Sequence, residues 1–159
     1  MLSFDRHSII HSIDDEIAVA GVNSYDSIAA ATKADAWCND AKSTAITHGT
    51  GKTAMTRSDL SVAITAGRFG KAICDSSYSV ALSVGDDSYA SAKKHDSIAI
   101  GVGMNSKVKG ELWNWLVLAE WDYDGESANL VKIHSFQVDG VTYKPDTWYI
   151  IVDGKIVEL

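Results

Sequence analysis

Two histidines, one glycine-rich loop and a scatter of lysines and arginines are the side chains here whose types and spacing bear on chemistry. His48 and His95 are the general-base candidates, because a neutral imidazole accepts a proton near neutral pH. Thr47-His48-Gly49-Thr50-Gly51-Lys52-Thr53 ends in Gly-Lys-Thr like a phosphate loop, but GxxxxGK[ST] needs a glycine where Ile46 stands. Nucleotide hydrolysis is therefore not expected, although a glycine-rich turn with Lys52 can still hold an anion through its backbone N–H groups. The acid pairs Asp14/Asp15 and Asp86/Asp87 fall at turn positions and read as solvated carboxylates, not as an acid/base couple. Cys38 and Cys74 supply neither a disulfide framework nor a four-ligand zinc site, and reduced thiols fit an intracellular protein.

The basic residues are the remaining lead. Arg57, Arg68, Lys71, Lys93, Lys94 and His95 fall in or beside turns, and stacked turns would bring Lys52, Lys71 and Arg68 into one region with Lys93. The competing reading is a solvated edge that balances nearby aspartates. A subunit boundary carrying these cations with Tyr78 or Tyr89 would make a pocket for a small anionic ligand. The candidate set is thus His48, Lys52, Arg57, Arg68, Lys71, Tyr89, Lys93, Lys94 and His95. No cofactor and no metal is expected.

The elements that must position these residues come from a repeat, and repeats govern folds of this kind. The unit is small-x-Ala-x-small, as in Ser61-Val62-Ala63-Ile64-Thr65, Ser79-Val80-Ala81-Leu82-Ser83 and Ser97-Ile98-Ala99-Ile100-Gly101. Its centres run Ile10, Ala18, Ala29, Cys38, Ala45, Ala54, Ala63, Ile73, Ala81, Ala90, Ala99 and Val108, with a mean step of about nine residues. Alternation over five residues, punctuated by Gly, Asp, Asn and Ser, predicts short strands joined by turns, with the small residues on one face. The x pairs Val62/Ile64, Ala72/Cys74, Val80/Leu82, Tyr89/Ser91, Ile98/Ile100 and Lys107/Lys109 put bulky aliphatics on every second strand. Two strands per coil follow, in a flattened parallel β-roll of about six coils whose interior is lined by Ala, Ser and Thr. One outer sheet then carries Val62, Ile64, Val80, Leu82, Ile98 and Ile100 as an apolar stripe, the expected interface of an oligomer. The other outer sheet is mixed.

A nine-residue period also invites two enzymatic or ion-binding readings. Calcium in every turn would need the GGxGxDxUx nonapeptide, and Gly-Gly never occurs. Acyl transfer on a hexapeptide-repeat solenoid would need a period of six, so His48 is read as a turn residue and the protein as a non-enzyme.

Composition sets the outer bounds. The chain has 159 residues, 46% apolar and 22% charged, enough for a packed core and without the long apolar run of a transmembrane helix. MLSFDRHSII lacks the features of a secretory signal, so the expectation is a cytoplasmic protein in the producing cell, or one that leaves with a larger particle. Residues 1–110 hold 11 Lys+Arg and 12 Asp+Glu, whereas residues 111–159 hold 3 and 9. An acidic tail disfavours a phosphate backbone, so neither a nucleic acid polymer nor a membrane is the expected partner. Four of the five Trp and the only Pro also follow residue 110, which divides the chain into a repeat region, 1–110, and a C-terminal region, 111–159. In the latter, segments at 113–122, 130–138, 141–143, 147–152 and 155–159 read as an antiparallel meander that caps the roll, with Asp139-Gly140 and Asp153-Gly154 as hairpin turns.

Asp96-Ser97-Ile98-Ala99-Ile100-Gly101 with Asn105-Ser106 resembles the repeats in the head domains of trimeric autotransporter adhesins, over roughly residues 8–110. That resemblance implies a parallel β-roll forming a homotrimer. The ending, from Lys109-Gly110-Glu111 through Leu116-Val117-Leu118-Ala119-Glu120-Trp121 to Lys144-Pro145-Asp146-Thr147-Trp148-Tyr149, resembles an uncharacterised domain of small phage and gut-bacterial repeat proteins. The joint expectation is an all-β, non-enzymatic, phage-type structural or interaction protein, tail-associated or host-contacting. The alternative is a soluble protein that sequesters a small anionic host ligand, such as a nucleotide immune signal, at subunit interfaces.

Overall fold

A computed structural model describes residues 9–12, 17–20 and 26–159 of the chain. Asp14, Asp15 and the N-terminal segment read for a signal lie outside the described residues. The described residues form strands and turns without a helix. Twelve short strands make six coils: β1 (Ile9–Ser12) and β2 (Ala18–Ala20), β3 (Ile28–Ala31) and β4 (Ala36–Cys38), β5 (Thr44–Thr47) and β6 (Thr53–Thr56), β7 (Val62–Thr65) and β8 (Lys71–Cys74), β9 (Val80–Ser83) and β10 (Tyr89–Ala92), β11 (Ile98–Gly101) and β12 (Lys107–Gly110). Odd strands stack in parallel as one sheet and even strands as the other, a β-solenoid as the repeat predicts. β13 (Trp115–Tyr123) joins β11 in parallel, and β14 (Ala128–Gln137) folds back on β13. On the other sheet β15 (Tyr149–Val152) lies antiparallel to β12 and hairpins into β16 (Lys155–Glu158). Both sheets therefore run through residue 110 without a break.

Small side chains make this flat roll possible. Ala29, Ala45, Ala63, Ala81 and Ala99 on the odd sheet face Ala36, Ala54, Ala72 and Ala90 on the even one, all with no exposed surface. A methyl on each side lets the sheets approach more closely than the usual 10 Å or so. Farther along, the core widens around Val108, Leu116, Leu118, Phe136, Val138 and Tyr149. Gly101 and Gly110 clear that space: a Cβ on Gly101 would lie 3.2 Å from Leu118 Cδ2, and one on Gly110 would lie 3.0 Å from Leu116 Cδ2. Tyr143 packs there 4.4 Å from Phe136, ring to ring.

Register corrects the repeat at two strands. On the even sheet Ala36, Ala54, Ala72, Ala90 and Val108 align, at a constant spacing of 18 residues from Ala36 onward. The centre of β4 is thus Ala36 instead of Cys38, and that of β8 is Ala72 instead of Ile73. A slip of one residue inverts a strand's faces, so Ala72 and Cys74 point inward and Lys71 and Ile73 outward. Trp37 points outward on β4, level with Met55 on β6.

The corners repeat as well. Where the even sheet hands over to the odd one, Lys42, Leu60, Tyr78 and Asp96 have positive φ, and each precedes a buried serine: Ser43, Ser61, Ser79 or Ser97. Each serine N–H from Ser27 to Ser79 donates to the Oγ of the serine one coil on, at 3.1–3.3 Å. Ser97 N–H finds Asn114 Oδ1 at 3.0 Å, which ends the ladder. At the opposite corner glycines stack instead. A Cβ on Gly85 would stand 2.3 Å from the Gly67 carbonyl oxygen, and Gly103 meets Gly85 in the same way.

The C-terminal region does not form the expected single meander: β13 and β14 extend the odd sheet, β15 and β16 extend the even one, and Asp139-Gly140 makes no hairpin. Residues 141–143 form no strand, because Asp139 Oδ1 accepts the N–H groups of Val141, Thr142 and Tyr143 at 2.7–2.9 Å and closes a local turn. Those N–H bonds hold the exposed Asp139 carboxyl below the usual carboxylate range. Asp153-Gly154, with φ of 49° and 72°, does make the hairpin between β15 and β16.

Candidate ligand-binding cleft

Outward positions on the even sheet form two columns. One runs Thr53, Lys71, Tyr89, Lys107; the other runs Trp37, Met55, Ile73, Ser91, Lys109. Ser91 is the one small side chain in a column of long ones, so it leaves a notch between Ile73 and Lys109. Trp148, which precedes β15, reaches this notch and meets Tyr89 edge to face at 5.3 Å between ring centres. The result is a cleft of about 430 Å³ lined by Lys71, Ile73, Tyr89, Ser91, Lys93, Lys109 and Trp148, with Ala72 beneath.

The electrostatics of the cleft run against those of the chain. Lys71, Lys93 and Lys109 converge on it in a protein of net charge −7. Lys107 Nζ lies 4.9 Å from the centre of the Tyr89 ring and Lys109 Nζ lies 5.2 Å from that of Trp148, both cation–π distances. Two acids flank the site: Asp146 pairs with Lys109 at 2.6 Å, and Asp75 stands 4.0 Å from Lys93. The hydrogen bond and charge of Lys109, with the added charge of Lys93, pull the Asp146 carboxyl below its ordinary range. At the floor Ser91 is 3% exposed, and its Oγ has no hydrogen-bond partner among the described residues.

Of the residues singled out in the sequence, Lys71, Tyr89 and Lys93 meet here. Arg68 and Lys52 do not join them. Both sit on the glycine corner, across a four-residue strand of about 13 Å from the Lys93 corner. Arg68 is bound to Asp87 at 3.0 Å and lies over Phe69. His48, exposed, occupies a turn on that same corner and donates its backbone N–H to Ala31 O at 2.9 Å. Arg57 stacks over Trp37 two coils before Lys93, at 5.2 Å. Lys94 and His95 share the serine corner with Lys93, and His95 lies 2.8 Å from Asp96 and 3.2 Å from Ser77 Oγ. Asp86 is not merely solvated, since its Oδ1 accepts Met104 N–H one coil on at 2.9 Å. Besides Ala72 and Ile73, the cleft residues outside the candidate set are Ser91, Lys109 and Trp148. A strict 18-residue column predicts the first two from Ile73, whereas Trp148 belongs to no repeat.

A larger cavity of about 830 Å³ opens between the β13–β14 and β15–β16 hairpins, lined in part by Glu120, Asp122, Asp153 and Trp121. Trp121 Nε1 donates to Val102 O at 2.7 Å, and His134 Nε2 lies 2.6 Å from Glu120 Oε2. Its lining is acidic and carries no lysine or arginine. Among the described residues no three His, Cys, Asp or Glu side chains gather as a metal site, and no helix is long and apolar enough to cross a membrane.

The outer face of the odd sheet carries the stripe Val62, Ile64, Val80, Leu82, Ile98 and Ile100, with Ile98 36% exposed. Register extends it to Trp115 and Val117 on β13 and to Ile46 on β5. Compared with family models, curated proteins and solved structures, the chain matches none.

Proposed function

We propose that this chain is a non-enzymatic interaction protein that assembles as a homotrimer through the outer face of its odd sheet, with residues 111–159 acting as an antiparallel cap. The observation that carries this reading is the apolar stripe, two side chains wide from β7 to β13. Contiguous apolar surface of that extent is a marker of association. The resemblance to trimeric adhesin heads supports the threefold number, and that of the C-terminal region supports a phage-type role in contacting a host or a particle. Light scattering and native mass spectrometry test it. The wild type is expected as a trimer, and Val80→Asp with Ile98→Asp as monomers; a monomeric wild type overturns the assembly.

A second reading, capture of a small anionic ligand, is favoured by the convergence of Lys71, Lys93 and Lys109 on one cleft. This cleft lies within a single chain, on the sheet opposite the stripe, so assembly through the stripe leaves it open.

A further inference from the structure

We infer that the cleft on the even sheet takes a small organic anion in which a flat ring is joined to a phosphate, the chemistry of a nucleoside monophosphate. The inference rests on the anion-capture reading and narrows it to a ligand class. Its size falls among small-molecule sites, which span roughly 300–1,000 Å³, against about 430 Å³ here. The lining has two halves. Ile73, Tyr89 and Trp148 offer an apolar wall with ring surfaces, and Lys71, Lys93 and Lys109 offer three ammonium groups.

Each half excludes a class of ligand. Asp146 already pairs with Lys109 and Asp75 stands 4.0 Å from Lys93, but Lys71 has no acidic partner among the described residues. A neutral sugar or peptide would therefore leave an excess of positive charge unmatched, and a lone carboxylate supplies a single negative charge with two acceptor atoms. A phosphate monoester carries about −1.5 to −2 near neutral pH and presents several acceptor oxygens to donors that need no fixed fork geometry. An inorganic anion would leave the Ile73 and Trp148 wall wet. A nucleic acid polymer needs a continued basic track, and this one stops at Asp75 and Asp146 on its flanks. The Ser91 hydroxyl is the independent pointer: it is buried in the notch, lacks a partner among the described residues and lines the space the ligand would fill. Buried hydroxyls are normally satisfied, and a ligand acceptor at the floor of the cleft would satisfy this one.

Isothermal titration of the full chain at low salt with AMP, ribose 5-phosphate and adenosine tests the assignment. AMP is expected to bind, with the other two at least tenfold weaker. Ser91→Leu, which fills the notch in line with Ile73, is expected to lose AMP binding by more than tenfold. Lys71→Ala with Lys93→Ala is expected to do the same and to flatten the salt dependence, with far-UV dichroism of both variants as the check on folding. Ribose 5-phosphate binding as tightly as AMP overturns the ring requirement and leaves anion capture standing. Failure of all three probes at millimolar concentration overturns both, and AMP affinity unchanged in folded Ser91→Leu removes the cleft as the site.

Discussion

Leu60 and Tyr78 hold left-handed backbone at φ of 60° and 55°, a conformation that favours Gly, Asn and Asp over bulky residues. The solenoid imposes it, because the residue before each corner serine must turn the serine inward. Leu60 is 54% exposed, so little packing offsets the strain. Leu60→Asn should therefore raise stability by about 0.5–1 kcal/mol, read as a higher urea midpoint with an unchanged slope. Asn114 is the opposite case. It is fully buried, and its Nδ2 donates to Ala92 O at 2.9 Å and Lys94 O at 2.8 Å while its Oδ1 accepts from Ser97. Asn114→Ala strands three backbone groups at once and should cost about 3 kcal/mol in the same measurement. Gly85→Ala should cost a similar amount, about 3 kcal/mol, since its methyl would enter the backbone of the preceding coil.

At the scale of the strand, much of the design was legible in the chain. Ser61 to Gly101 spell out inward small residues and outward aliphatics, and the odd sheet follows them residue by residue. The even sheet was harder to read. In Lys71-Ala72-Ile73-Cys74 both alternating pairs carry apolar character, Ile73 in one and the small Ala72 and Cys74 in the other, so the largest apolar side chain does not mark the core face; size does, through Ala72 and Cys74. The cleft was half visible for a similar reason: Lys71, Tyr89 and Lys93 belong to the repeat, whereas Trp148 arrives from a loop whose path depends on tertiary packing. Asn114 was hidden because it ends a serine column with a different residue, 17 positions on. The corrected register also fixes the chemistry of the thiols. Cys38 and Cys74 lie in one inward column with Thr56 between them, two strand spacings or about 9.6 Å apart, beyond disulfide reach. Burial pushes both thiols up from their ordinary value. Neither should react with Ellman's reagent in the native protein, and both should react in urea; a native disulfide or a fast native thiol would contradict this placement.

For the molecule as a whole, the two outer faces differ in chemistry. The odd sheet presents aliphatic side chains and the even sheet presents cations and rings; on the readings proposed above, the first meets another copy of the chain and the second a small solute. Substitutions on the two faces should then separate: Val80→Asp should change mass in light scattering without altering AMP titration per chain, if each face serves its own purpose. The constant 18-residue spacing from Ala36 to Val108 has a further consequence, for how such a chain can change in length. Removing residues 48–65 deletes one whole coil and returns every later strand to an equivalent neighbour, with Gly67 stepping into the place of Gly49. Removing nine residues would instead move each later strand to the opposite sheet. The 18-residue deletion should fold, with strand-type dichroism and a lower melting temperature, and a nine-residue deletion should not. A gene of this design can lengthen or shorten by duplication and loss of whole coils, with the lysine–aromatic cleft travelling intact at one end.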